Sequence, residues 1–123
     1  DTVAATRALA LARGDFIADE PPSPWVARAR DRLKSRLLRA VIAEAETCEA
    51  AGDYAGARTL YEAVLERDNL AESVYRRLMV CQRELGDAAG AMLTYRRCRE
   101  LLSIVLGRSP AAETEAVRRS LPA

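Results

Sequence analysis

Apolar residues recur along this chain at steps of three and four, not two. Trp25, Ala29, Leu33, Leu37, Ala40, Val41 and Ala45 make one stripe along a segment that opens at Ser23-Pro24 and closes at Gly52. That spacing places them on one face of an α-helix. Serine caps a helix start and proline suits the first helical position, so the helix is predicted from Pro24 to about Ala51. An Ala- and Leu-rich segment predicts an earlier helix from about Thr2 to Arg13, stopped by Gly14. Between the two lies DFIADEPPSP, whose three acids and three prolines cannot continue a helix. Phe16 and Ile17 are expected to tuck under this loop, with Trp25 anchoring it. Asp53 caps a further helix ending at about Arg67, and Asp68-Asn69 makes a turn. Helices over about Ala71–Leu85 and Ala88–Leu106 come next, and Ser109-Pro110 starts a last one running to about Ser120. The sum is six helices and no strand.

Two of these breaks are copies of one another. Gly52, Asp53, Ala55, Gly56, Ala57 and Tyr61 recur 34 positions later as Gly86, Asp87, Ala89, Gly90, Ala91 and Tyr95. Two helices per 34 residues is the tetratricopeptide period. Packing explains the pattern. Glycine at Gly52 and Gly86 permits the tight turn, Ala57 and Ala91 let paired helices approach, and Tyr61 and Tyr95 fill the gap between stacked hairpins. Gly56 and Gly90 cost helix propensity, which suggests close helix contact at both. Asn69 stands where such repeats usually carry proline, and Val41 and Tyr75 hold the early aromatic position of the two copies, so the array is degenerate. The expected fold is all-α: a tetratricopeptide-like α-α superhelix of about six helices stacked as hairpins.

Composition narrows the function. Of 123 residues, 50% are apolar and 30% charged, which fits one folded domain over 1–123. A net charge of +1 gives no nucleic-acid-like excess over the whole chain. No apolar run approaches the ~20 residues that span a bilayer. There is no histidine, which removes the commonest general base and metal ligand. Cys48, Cys81 and Cys98 lack Cys-x-x-Cys spacing, against a disulfide framework or a zinc site and for a reducing, cytoplasmic setting. Cys48 and Cys98 fall at core positions, whereas Cys81 is expected to be more exposed. Nothing in the sequence points to catalysis, a cofactor or a metal.

A wider resemblance covers nearly the whole chain. ALALARGDFIAD, a Pro-rich gap, PWVARARDRLKSRLLRA, two degenerate hairpins and LGRSPAAETEAVRRSL are together similar to the bacterial transcriptional activator domain of antibiotic-regulatory-type activators. Gly14-Asp15-Phe16, Trp25, Arg30, Leu33, Tyr95, Leu101, Gly107, Pro110 and Glu113-Thr114 carry the match. The resemblance implies a module excised from a longer regulator, placed after a winged-helix DNA-binding domain. It also implies protein partners: that domain, another copy in a homodimer, or the transcription machinery. Nucleic acid would be met only through the missing domain, and no membrane is involved. The period alone allows a second reading, an adaptor that binds a peptide in an unrelated assembly.

Two surfaces are candidate sites. Residues 28–39 hold six bases, Arg28, Arg30, Arg32, Lys34, Arg36 and Arg39, against the single acid Asp31. Bases at the start of a helix, with Glu44, Glu46 and Glu49 near its end, oppose the helix dipole. The acidic loop Asp15, Asp19, Glu20 or a neighbouring domain is the expected compensation. The first helix of each hairpin lines the concave face of a tetratricopeptide stack. A partner-binding groove is therefore expected at Arg39, Ile42, Glu46, Glu49, Ser73, Arg76, Val80 and Arg83, suited to an acidic partner.

Overall fold

The computed structural model describes residues 2–6 and 23–122. Residues 2–6 are helical and are labelled α1; the rest of the helix predicted to Arg13, the predicted stop at Gly14 and the acidic loop lie outside the described residues. Then come α2 (Pro24–Ala50), α3 (Tyr54–Arg67), α4 (Glu72–Glu84), α5 (Ala88–Leu101), a π-helical turn (Leu102–Leu106) and α6 (Ala112–Arg119). No strand occurs among the described residues. Neighbours in sequence pack as neighbours in space, so α2–α3 and α4–α5 form two hairpins, and α6 lies against α4 and α5. The architecture is an all-α hairpin stack of tetratricopeptide type.

Local chemistry sets the helix ends. Ser23 accepts from the Val26 amide at 3.3 Å, with Pro24 at the first helical position. Gly52 and Gly86 each sit at φ +79°, the left-handed region where a side chain is strained. One residue on, Asp53 accepts from the Gly56 amide and Asp87 from the Gly90 amide, both at 2.9 Å. These bonds satisfy amides that a helix start otherwise leaves without a partner.

The two glycines inside the repeat have a different purpose from the one their small size suggested. A Cβ at Gly56 would clash with Asp53 Oδ2, and one at Gly90 with Asp87 Oδ2. The nearest atoms such a Cβ would meet are those of the capping carboxylate. A Cβ and the cap therefore compete. Gly90→Ala is expected to be near neutral, because about 1 kcal/mol of helix propensity offsets about 1 kcal/mol of lost cap. In an Asp87→Ala background the same change should stabilise by about 1 kcal/mol. Urea unfolding of the four proteins measures the cycle; equal effects of Gly90→Ala in both backgrounds would refute the competition.

The core lies between the hairpins. Val41, Ala45, Ala57, Leu60, Tyr61, Val64, Val74, Tyr75 and Leu102 are among its buried residues, and Ala5 of α1 packs on it. A second cluster joins Met79, Ala91 and Tyr95 under Val117 and Leu121. The Tyr75 hydroxyl donates to the Asn69 carbonyl at 2.9 Å, tying the turn between the hairpins to α4.

Trp25 is 67% exposed at the start of α2, and Phe16 and Ile17, its expected contacts, lie outside the described residues. Two expectations are corrected here. The helix predicted to Leu106 loses α geometry after Leu101 and finishes as the π turn, closed by Gly107 at φ +63°. Ser109 does not cap the last helix. That position falls to Ala111, which has no capping side chain, and the cap comes from elsewhere in the fold.

Candidate functional site

Glu72, on the first turn of α4, supplies that cap. Its Oε2 accepts from the Ala111 amide at 2.7 Å and from the Thr114 hydroxyl at 2.6 Å. Its Oε1 accepts from Arg108 Nη1 at 2.9 Å. Thr114 is fully buried and also receives a bond from Arg76 at 3.3 Å. Burial pushes the Glu72 carboxyl upward in pKa, but the bonds from Thr114, Ala111 and Arg108 outweigh it and hold the group below its ordinary value. Further along, Arg83 donates to Ser120 at 2.7 Å, and the Tyr95 hydroxyl donates to Glu115. Arg118 and Arg99 stack on the Tyr95 ring, 5.5 and 5.6 Å from its centroid. α6 is thus fastened to the second hairpin along its whole length.

This placement divides the groove expected from sequence. Arg76 and Arg83 turn to α6. Ile42, Glu46, Ser73 and Arg76 come together with Tyr61 and Arg77 around a hollow of about 280 Å³ between the hairpins. Glu49 is held by Arg77, with Nε 3.5 Å from Oε1, at a junction where burial and the Glu49 charge raise the Tyr61 phenol above its usual pKa. Val80 is half-buried. Arg39 lies apart, in a second hollow of about 340 Å³ with Asp31, Arg32, Ser35 and Arg36. The open groove is therefore shorter than expected and belongs mainly to α2 and the start of α4.

The repeat residues occupy the interior. Ala57, Ala91 and Tyr61 are fully buried and Tyr95 nearly so, while Gly52 and Gly86 make the turns. Cys81 is fully buried, as are Cys98 and, almost wholly, Cys48. That corrects the expectation of an exposed Cys81: it lies on the α4 face turned toward α3. Burial pushes the Cys81 thiol up to about 12 and Cys98 to about 11 in pKa, the opposite of a reactive thiolate. Among the described residues no group of three His, Cys, Asp or Glu is placed to hold a metal ion. None of the described helices is long and apolar enough to cross a membrane.

The described residues form a stack of hairpins with a polar hollow between them and α6 strapped to the second hairpin. The family is assigned by the sequence as a whole: the model of the bacterial transcriptional activator domain matches residues 2–121, and the chain belongs to that family. No curated protein and no solved structure matches it. It is a domain of the kind found in transcription regulators.

Proposed function

We propose that this chain is a non-catalytic, regulatory protein-interaction domain of a bacterial transcriptional regulator, working in the cytoplasm. Its task is to hold an attached DNA-binding domain in register, to pair with another copy, or to contact the transcription machinery. The observation that carries this reading is the family match over residues 2–121. Support comes from the helical stack, whose chemistry among the described residues is spent on packing and on strapping α6. The hollow at Ile42, Glu46 and Ser73 is the proposed seat for a partner segment in the groove. The same hollow favours the second reading, an adaptor that binds a peptide in another assembly.

Two observations on the native gene separate the readings. The regulator reading expects codons for a helix-turn-helix domain joined to this one. It also expects replacement of the domain by a Gly/Ser linker of equal length to leave operator binding intact and to abolish transcription from the target promoter. Undiminished transcription, or a native product without a DNA-binding domain, would leave only the adaptor.

A further inference from the structure

The π turn is where the sequence pattern and the surface disagree. Leu101-Leu102-Ser103-Ile104-Val105-Leu106 is apolar at five of six positions, yet only Leu102 is buried. Ile104 is 74% exposed, Val105 54% and Leu106 48%. In a continuous α-helix, Val105 would fall on the face of Cys98, seven residues earlier, which is fully buried. The π turn adds a residue to the last coil, seen in the Gly107 amide, which reaches back to the Leu102 carbonyl as well as to that of Ser103. One added residue rotates the positions beyond it by about 100°. Val105 is turned away from the core, and the chain shows three large apolar side chains to solvent within one turn. Turns of this kind are frequent at functional sites.

The surroundings are not neutral. Beside the turn is a groove of about 680 Å³ lined by Arg96, Arg99, Glu100, Ile104 and Arg108. Leu93, 64% exposed, stands three residues before Arg96, one turn away on the same face. Arg96 makes no ion pair among the described residues; Arg99 lies over the Tyr95 ring, and Arg108 spends one nitrogen on Glu72. The groove thus has Ile104 as its one large apolar lining residue and a rim of three arginines against one glutamate.

We propose that this groove, at the carboxyl end of α5, is a docking surface for an acidic amphipathic segment of a partner protein. The segment would seat an apolar side chain on Ile104 and place carboxylates beside Arg96 and Arg99. A second copy of the same face is a poor occupant. A two-fold contact sets a patch against itself, and here that brings arginine rims together. The proposal rests on the interaction-domain reading and adds to it a surface separate from the hollow between the hairpins.

The test uses the whole chain and a fluorescein-labelled 18-residue peptide of Leu, Ala and Glu, with leucines at helical spacing. A control peptide carries Lys for every Glu. Fluorescence anisotropy should show saturable binding of the acidic peptide, at least tenfold tighter than the control. Ile104→Asp and the double change Arg96→Glu/Arg99→Glu should each weaken it at least tenfold. These residues are exposed, so circular dichroism should report unchanged folding. Absence of saturable binding, or equal binding of both peptides, would overturn the proposal. So would binding that Ile104→Asp leaves alone. If Ile42→Asp abolishes binding and Ile104→Asp does not, the interaction reading stands and only this surface falls.

Discussion

Ala57→Trp and Ala91→Trp should each lower the thermal midpoint of the chain by about 10–20 °C, a range set by two magnitudes. Both alanines are fully buried, one in each core cluster, where the first helix of a hairpin meets the second. An indole there has no space to enter without displacing a helix. Overpacking of this kind costs about 3 kcal/mol, toward the upper end of its usual range. Each kcal/mol lowers the midpoint by roughly 3–6 °C in a chain of 123 residues, between the ranges for smaller and larger domains. Ala55 and Ala89, two residues earlier in each copy, are exposed and serve as controls. Tryptophan at either should change stability by no more than about 0.5 kcal/mol. Differential scanning calorimetry of the four variants decides. A control as damaging as its buried counterpart would mean that the two copies do not share the register their sequences imply.

The repeated glycine, aspartate and alanine show why the repeat is legible in the sequence. Each element of the 34-residue unit is a local solution: glycine at positive φ, an aspartate that caps three residues ahead, an alanine at the tightest contact. Local solutions leave local patterns, and a pattern stated twice is readable. The hidden features involve partners distant in sequence. Nothing around Glu72 marks it as the cap of a helix that begins at Ala112, because its three bonds go to residues 36 to 42 positions away. The Ser-Pro signal at Ser109 points to the right neighbourhood but to the wrong acceptor. The π turn was hidden for the opposite reason. LLSIVL reads as a helix continuing, and only the burial of Leu102 beside the exposure of Val105 shows that the winding changes. Cys81 illustrates a third case: one face of a short helix in contact with three neighbours cannot be told from its exposed face by spacing alone.

Removal of the Glu72 carboxylate should release α6. Glu72→Ala deletes the cap at Ala111, the bond to Thr114 and the pair with Arg108 together. It leaves the Ala111 amide without its partner beside a buried Thr114. Hydrogen bonds to a charged group contribute about 1.5–3 kcal/mol each and do not add fully, so a loss of about 3 kcal/mol is expected. The loss should be local. Amide exchange of residues 112–119 should approach the unprotected rate, while α2 and α3, which pack chiefly on each other and on α4, keep their protection. The effect carries a pH signature whose sign is fixed. The folded-state pKa of Glu72 is depressed below its ordinary value of 4.5. The charged carboxylate thus contributes its full stability above that value and loses it as pH falls through the lower folded-state pKa. In thermal unfolding from pH 6 downward, the parent chain should lose stability faster than Glu72→Gln once pH passes below about 4.5, and the gap between them should narrow. Other carboxylates titrate in both proteins and cancel in the difference. A constant gap across that window would show that the charge of Glu72 does not hold α6, and the strap would then have to be carried by the packing of Val117 and Leu121 on Met79, Ala91 and Tyr95.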